Sequence, residues 1–463
     1  MFSEKIYLER RRQLKTRMGA GVLFFPGNDE TAMNYAANTF HFRQDSTFLY
    51  YFGIDEPNLS AVIDCESGED ILFADEFEME DIIWMGRMET FGEKARKAGI
   101  RKILPAGDLN PYLEKVRSAG RAIHYLPPYR YSLMVKMQDF LGIGMPDLKD
   151  KASPDLIRAV VEQRSVKSDE EIAEIEKALD TTYIMHTAAM RLARPGMVEQ
   201  KVAGHIEGIA LSGGGGVSFP VILSVNVQIL HNHRHGNIMK DGDLLVNDSG
   251  AESNMHYAAD ITRTFPVNGR FSARQREIYE IVLKSQLEAI NSIKPGIRYK
   301  EIHLKSARII AAGLKDLGLM KGDPEEAVAL GAHALFFPHG LGHMMGLDVH
   351  DMENLGEDYV GYDDRVQRSE QFGLAYLRLA RRLQPGFVLT VEPGLYFIPE
   401  LIAQWKSEKK FPEFINYEKV DHYLDFSGVR IEDDVLVTET AARVLGKPIP
   451  KTIAEVEAMC QSE

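Results

Sequence analysis

Short apolar runs alternate with helical stretches along the first third of the chain. The runs have the length and flanking residues of buried strands, and they cover residues 21–26, 60–64 and 70–74. Residues 81–97 carry a pattern that predicts a helix. Strands that alternate with helices predict an α/β domain.

A boundary between two domains is predicted near Gln163. Four prolines fall within residues 127–154, and the pattern beyond them becomes strongly helical. Ser168 and Glu171 form a capping box at the start of this helical pattern. We therefore expect one domain over residues 1–163 and a second over residues 164–463.

The second domain contains an internal repeat. In both copies a Pro-Gly pair ends one helix and begins the next, and a later glycine precedes an apolar run and then a carboxylate. The copies comprise Pro195–Gly196, Gly242 and Asp248, and Pro295–Gly296, Gly386 and Glu392. Two similar halves that each present a carboxylate at a strand end predict an acidic cleft between them.

Composition and charge narrow the class of protein. The 463 residues are 44% hydrophobic and 26% charged, as in ordinary globular proteins, and the length favours two domains. There are 68 acidic and 54 basic residues, and a net charge of −14 argues against nucleic acid as a partner. Cys65 and Cys460 are the two cysteines, which favours a reducing compartment over a disulfide framework. With no export signal and no apolar segment long enough to cross a membrane, a cytoplasmic location is expected.

Two aspartates follow or open predicted neighbouring strands. Asp248 ends an apolar run, and Asp260 opens the β-branched segment DITRTF. Side chains at such positions can face one another, although a single Asp can equally serve as a turn or capping residue.

Three histidines lie in the glycine-rich segment FPHGLGHMMGLDVHD, at positions 339, 343 and 350. His339 and His343 are four apart, but Gly340 and Gly342 disfavour a helix, so a loop or strand is expected. One buried histidine often has only a packing role. Three in such a stretch favour a function as ligands or as acid–base groups.

Two glutamates interrupt β-like runs, Glu392 in LTVEPGLY and Glu432 in GVRIEDD. A buried carboxylate costs several kcal/mol unless it is paired or binds a metal. The set Asp248, Asp260, His343, Glu392 and Glu432 carries four negative charges, which two divalent cations would balance.

These motifs give the chain a recognisable resemblance. The segments DITRTFP, HGLGHMMGLDVHD, TVEPGLY and GVRIEDD resemble, in the correct order, those of the metallopeptidase family that includes aminopeptidase P, prolidase and methionine aminopeptidase. FRQDSTFLYYFGIDEP, at residues 42–57, is similar to a stretch typical of the aminopeptidase P branch. The resemblance implies an α+β fold: a C-terminal pita-bread catalytic domain with a pseudo-two-fold repeat, preceded by an α/β creatinase-like domain. It also implies a homo-oligomer, a dimer or a tetramer.

The resemblance implies hydrolysis of the bond between an N-terminal residue and a following proline, with a metal-bridged hydroxide as nucleophile. Asp260 and Glu432 would bridge two metal ions, Asp248 would complete one site, and His343 with Glu392 would complete the other. Mn²⁺ suits the oxygen-rich ligands, and Zn²⁺ or Co²⁺ are alternatives. Glu392 would also relay a proton. The remaining roles implied are substrate and transition-state contacts for His231, His339 and His350, and orientation of a ligand by Thr262.

The sequence departs from the family pattern in two ways. Asp248 and Asp260 are one residue further apart than is usual, which predicts a bulge or a longer hairpin between them. Insertions at residues 354–384 and 399–425 are predicted to form a wall along the cleft that limits substrate length. The first contains five arginines that could bind a peptide carboxylate or could line a solvated helix face. These are Arg365, Arg368, Arg378, Arg381 and Arg382.

Two other functions stay open at this stage. A prolidase would perform the same chemistry on dipeptides alone, and the motifs hardly separate it from an aminopeptidase. A non-catalytic pita-bread binding protein is the alternative from another class, although such proteins typically lose metal ligands and all five are present here.

Overall fold

The computed structural model describes residues 1–462 and divides into two compact units. The first unit contains Met1–Arg164 together with Glu353–Tyr359. The second contains Ser165–Met352 and the chain from Val360 onward. A short piece of the first predicted insertion thus belongs to the N-terminal unit.

The first unit is built on a mixed sheet. The strands of this part of the chain are β1 (Val22–Pro26), β2 (Ala32–Tyr35), β3 (Asn38–Thr39), β4 (Ser60–Asp64), β5 (Asp70–Phe73), β6 (Lys102–Leu104) and β7 (Ile123–His124). Five of them form the order β6-β5-β4-β1-β7, and β2 pairs with β3. Strand β4 runs antiparallel to β1 and β5, whereas the edge strands β6 and β7 are parallel to their neighbours. The three predicted apolar runs form β1, β4 and β5, so the α/β prediction is confirmed.

Seven helices accompany these strands. They are α1 (Glu4–Met18), α2 (Ser46–Phe52), α3 (Met79–Met85), α4 (Phe91–Lys97), α5 (Leu109–Ser118), α6 (Tyr131–Leu141) and α7 (Pro154–Ser165). The single helix expected over residues 81–97 is wrong, because α3 and α4 divide this stretch. Gly86 ends α3 with a φ of 80°, and Thr90 caps α4 by accepting from the amide of Glu93.

The later helices are α8 (Asp169–Leu192), α9 (Glu199–Ser212), α10 (Ala273–Ser292), α11 (Tyr299–Asp316), α12 (Pro324–Leu330), α13 (Glu357–Val360), α14 (Pro399–Ser407), α15 (Tyr417–Val420) and α16 (Ile453–Cys460). The predicted capping box begins α8. The Ser168 amide donates to Glu171 Oε2 at 3.1 Å, and the Glu171 amide donates to Ser168 Oγ at 3.4 Å.

Three small sheets form the centre of the second unit. The strands are β8 (Ile222–Ser224), β9 (Leu244–Ser249), β10 (Ile261–Pro266), β11 (Val388–Val391), β12 (Gly394–Tyr396), β13 (Gly428–Arg430), β14 (Asp433–Val437) and β15 (Ala442–Val444). The orders are β10-β9-β8, β11-β14-β15 and β12-β13. Every residue of β9 and β10 is buried, with α8 packed against both, and α10 packs against β11, β12 and β13.

The internal repeat is visible in the backbone hydrogen bonds of the second unit. The Gly196 amide donates to Met239 O, and the Gly296 amide donates to Leu383 O, each at 2.8 Å. Both glycines have a positive φ, of 88° and 86°. Each acceptor lies three residues before the glycine that introduces the carboxylate-bearing strand of its half. The α+β fold with a repeated half is therefore confirmed.

Among residues 1–462, the helices are all too short or too polar to cross a lipid bilayer.

Candidate metal centre

One cavity of the second unit is lined by all eight residues that were predicted as metal ligands or catalytic groups. Its volume is about 570 Å³. The predicted residues that line it are His231, Asp248, Asp260, His339, His343, His350, Glu392 and Glu432. The folded chain therefore gathers side chains that are separated by up to 201 positions in sequence.

The hairpin of β9 and β10 carries two of the carboxylates on one face. Asp248 lies opposite Thr262, and Asp260 is two residues from Thr262, so all three side chains point the same way. Pairing continues in one register to a bridge between Glu252 and Ala258, without a bulge. The added length is taken up at the turn, where His256 has a φ of 64°. Of the two predicted solutions, the hairpin uses the longer turn.

Three candidate ligands approach one another most closely. Donor atoms of Asp260, His343 and Glu432 all lie within 4.8 Å of one another. His343 Nε2 is 3.4 Å from Asp260 Oδ2 and 3.7 Å from Glu392 Oε1. His343 lies in an irregular loop, as its glycine neighbours predicted, and its amide donates to Thr390 Oγ1 on β11 at 3.1 Å.

The centre is electrostatically frustrated without a cation. Burial, followed by repulsion from neighbouring carboxylates, raises the pKa of Asp260, Glu392 and Glu432. Among the described residues, no group donates a hydrogen bond to Asp260 Oδ1 or Glu432 Oε1, although both atoms are buried. Buried carboxylate oxygens that lack donors, beside an imidazole nitrogen, are the groups that a divalent cation would bind. The residues present fit a metal.

Asp248 is held differently, by an arginine that the sequence analysis did not single out. Arg430 Nη2 donates to Asp248 Oδ2 at 2.6 Å, and Arg430 Nη1 donates to the Tyr396 hydroxyl at 2.9 Å. Both Arg430 and Tyr396 are buried. They fall inside the motifs GVRIEDD and TVEPGLY, which also contain the candidate ligands Glu432 and Glu392.

Tyr396 also connects this arginine to His339. Its hydroxyl is 2.9 Å from His339 Nε2, while His339 Nδ1 is 2.8 Å from Gly340 O. Burial and the positive charge of Arg430 lower the pKa of His339 to about 3, so the ring is neutral. Because a carbonyl can only accept, Nδ1 carries the proton and Nε2 accepts from Tyr396. Both ring nitrogens are therefore engaged.

Backbone and side-chain contacts behind the centre hold the two repeats together. Thr262 Oγ1 donates to Glu432 Oε2 at 2.6 Å, the contact expected of a residue that orients a ligand. Asp434 Oδ2 accepts from the Asp260 amide at 3.0 Å. On the opposite face Arg263, 1% exposed, uses all of its nitrogens. Its acceptors are Pro450 O, Thr262 O, Glu432 O, Ile449 O and Asp433 Oδ1.

The remaining predicted histidines lie around the cavity. The ring of His350 is 4.1 Å from that of His343, centroid to centroid, and His231 is exposed. His233 also lines the cavity. Sequence patterns do not indicate His233 as a site residue, because the tract HNHRH at residues 231–235 has no spacing that distinguishes its histidines.

Both predicted insertions contribute to the wall of the cavity. Phe372, Tyr376 and Arg378 come from the first and Leu401 from the second. Three other arginines of the first insertion donate away from the cavity. Arg368 donates to Ala375 O, Arg381 to Ser165 Oγ and Arg382 to Gly296 O.

Comparison with known proteins gives consistent matches along the chain. Residues 173–439 match the model of metallopeptidase family M24, and residues 7–124 match that of the aminopeptidase P N-terminal domain. The chain is 33% identical to Xaa-Pro aminopeptidase of Escherichia coli, over 99% of this chain and 98% of the relative. It is 30% identical to human Xaa-Pro dipeptidase, over 97% of this chain and 90% of the relative.

Solved structures match over the whole length as well. Zinc-substituted E. coli aminopeptidase P in complex with product has a TM-score of 0.81 and 32% identity, with all of both chains covered. Pseudomonas aeruginosa aminopeptidase PepP has a TM-score of 0.80 and 30% identity, with 99% of this chain and 98% of that chain covered.

Proposed function

The chain belongs to metallopeptidase family M24, and on this premise we propose that it is a metal-dependent Xaa-Pro aminopeptidase. Its reaction is hydrolysis of the bond between an N-terminal residue and a following proline. The observation that carries the proposal is the approach of Asp260, His343 and Glu432 within one cavity. All five candidate ligands line that cavity, which supports an enzyme over a non-catalytic binding protein.

We assign the ligands as the sequence resemblance implied. Asp260 and Glu432, the two carboxylates with buried oxygens that lack donors, would bridge two ions. Asp248 would complete one site, and His343 with Glu392 the other. Bound divalent cations supply Lewis acidity, which activates water near neutral pH and polarises the substrate carbonyl. The mixture of four carboxylates and one imidazole favours Mn²⁺, with Zn²⁺ and Co²⁺ as alternatives.

Proton transfer and carbonyl recognition fall to side chains of this cavity. Glu392, 3.7 Å from His343 Nε2, would take a proton from the attacking water and pass it to the prolyl nitrogen as the C–N bond breaks. His231 and His350 would donate to the carbonyl oxygen as negative charge develops there. His339 is already hydrogen-bonded through both nitrogens. We therefore assign it contact with the substrate and positioning of Tyr396.

Arg378 favours a second candidate, a dipeptidase. It lines the cavity. Burial raises the pKa of Glu392, and the positive charge of Arg378 opposes this increase. For His339, burial and the charge of Arg378 both lower the pKa. A guanidinium at this place can pair with the C-terminal carboxylate of an Xaa-Pro dipeptide. In a longer peptide that carboxylate would be absent from this position.

Hydrolysis of a graded peptide series tests both candidates. We expect release of the N-terminal residue from Xaa-Pro and Xaa-Pro-Yaa, and none from the matched control Xaa-Ala-Yaa, with Mn²⁺, Zn²⁺ and Co²⁺ each added to metal-stripped protein. A wild type that cleaves only Xaa-Pro, together with an Arg378→Met variant that gains cleavage of Xaa-Pro-Yaa, would identify the dipeptidase. Cleavage of the alanine control at the same rate would contradict both.

We also propose a cytoplasmic homo-oligomer. The free thiols of Cys65 and Cys460 suit a reducing compartment.

The oligomer is supported by the surface of helix α3. This helix has no buried residue, and Ile83, Trp84 and Met85 are 71%, 78% and 72% exposed. Contiguous exposed apolar side chains of this kind are typical of a subunit interface. The mass in solution, measured by light scattering, distinguishes a monomer from a dimer or a tetramer.

A further inference from the structure

Aromatic side chains of the two insertions form a continuous row beside the cavity. We call Tyr376, Phe372 and Trp405 the aromatic row. The ring centroids of Tyr376 and Phe372 are 6.1 Å apart, and those of Phe372 and Trp405 are 6.0 Å apart, in edge-to-face geometry. Phe411 packs against the far side of Trp405 at 5.6 Å. The row joins the first insertion to the second.

The backbone of the row is fixed against the histidine loop of the metal centre. A side chain at Gly340 would place its Cβ 2.9 Å from Tyr376 O and 3.0 Å from Leu377 Cα, so a glycine is needed for this approach. Leu377 O accepts from the Tyr362 hydroxyl at 2.5 Å, and Leu377 is 2% exposed. Tyr376 therefore lies next to the loop that carries His339.

Exposure along the row changes from one end to the other. Trp405 is 3% exposed and lies behind the wall, whereas Tyr376 is 58% exposed while lining the cavity. A large aromatic ring with packed support on one side and solvent on the other is ready to be covered by an apolar ligand.

Tyr376 and Arg378 have a spacing that matches a proline with a free carboxylate. Leu377 between them is extended, with φ −74° and ψ 106°, which separates the two flanking residues along the wall of the cavity. Their Cα atoms are roughly 6.6 Å apart in such a segment. Both line the cavity. A prolyl ring carries its carboxylate on the adjacent atom, so one residue of substrate can meet both side chains.

We propose that Tyr376 is a specificity-determining residue that packs against the prolyl ring of the substrate, while Arg378 faces the group that follows the ring. This inference rests on the proposed function, because it assigns the prolyl side of the cleaved bond to the first insertion. Phe372 and Trp405 act through Tyr376, because their edge-to-face packing fixes the orientation of its ring. The enzyme's selectivity for proline thus comes partly from an aromatic surface outside the metal-ligand motifs.

Inhibition by free amino acids separates ring contact from carboxylate contact. The competitive Ki of L-proline and of L-alanine would be measured on the metal-loaded protein with an Xaa-Pro substrate. Tyr376→Ala is expected to raise the Ki of L-proline about 10-fold and to leave that of L-alanine within about 2-fold, as expected for loss of one aromatic contact. Tyr376→Phe is expected to retain wild-type values, because the ring and not the hydroxyl makes the contact. Arg378→Met is expected to raise both constants.

Controls distinguish this inference from the function on which it rests. Tyr131, in the N-terminal unit and 71% exposed, provides the matched variant Tyr131→Ala, which should change neither constant. Metal content should be unchanged in every variant. If the wild type is active but Tyr376→Ala leaves the Ki of L-proline unchanged, or raises the Ki of L-proline and L-alanine equally, the role of Tyr376 is overturned. The proposed function would still stand. A wild type that hydrolyses no Xaa-Pro peptide would overturn the proposed function as well.

Discussion

Replacing Asp433 by asparagine removes one charge from the buried network behind the metal centre and nearly preserves its shape. Asp433 Oδ1 accepts from Arg263 Nη2 at 2.7 Å, and Oδ2 accepts from Lys451 Nζ at 2.6 Å and from Gln286 Nε2 at 2.7 Å. The side chains of Arg263 and Asp433 are 1% and 5% exposed. Although burial alone would raise the pKa of Asp433, its partners lower it to about 2.

The expected cost follows from this burial. Removing one partner of a buried ion pair leaves the other charge without compensation, which typically destabilises a protein by about 3–5 kcal/mol. That loss is a large part of the roughly 5–15 kcal/mol that stabilises a typical domain. Arg263 also donates to Glu432 O, so we expect weaker retention of metal in the variant.

A surface ion pair provides the matched control. Arg274 Nη2 and Asp425 Oδ1 are 2.6 Å apart, but their side chains are 36% and 77% exposed. Asp425→Asn should therefore change the free energy of unfolding by no more than about 1 kcal/mol. Equilibrium urea unfolding of metal-loaded wild type and both variants makes the comparison. Equal and small losses in the two variants would refute the argument from burial.

Three further predictions concern the centre and its wall. His350→Ala should lower kcat by about 100-fold or more while metal content, measured by elemental analysis, stays unchanged; loss of metal in proportion to activity would make His350 a ligand. Shortening the insertion at residues 354–384 should raise kcat/KM for long Xaa-Pro peptides relative to Xaa-Pro, and an unchanged ratio would argue against a wall. In metal-stripped protein the buried carboxyls of the centre have raised pKa values, two of them to about 8, so the folded state holds protons that the unfolded state releases. Its thermal midpoint should therefore fall as the pH rises from about 5 to about 8, and Glu432→Gln should flatten this dependence.

The fold and the list of candidate ligands could be predicted because they depend on local patterns. Apolar runs located β1, β4 and β5, and the repeated glycines located the two halves of the second unit. A glutamate within an apolar run is unusual enough to indicate a site residue, and Glu432, between β13 and β14, is such a case. These signals need only a few neighbouring residues.

What the sequence did not reveal depends on contacts between distant segments. The pairing of Arg430 with Asp248 joins residues 182 positions apart, and an arginine that precedes three acidic residues in GVRIEDD gives no sign of it. The break between α3 and α4 was missed because one glycine can be tolerated inside a helix. The direction of each arginine in the first insertion depends on tertiary packing, so sequence alone could not separate Arg378 from its neighbours.

Metal titration of the activity tests the central claim most directly. Metal-stripped protein should release no N-terminal residue from Xaa-Pro-Yaa, and activity should rise with added Mn²⁺ to a plateau at two ions per chain. Asp260→Asn and Glu432→Gln, each of which removes a bridging charge, should remain folded by circular dichroism and stay inactive at any metal concentration. Full activity in the metal-stripped protein, or in either variant, would contradict the account.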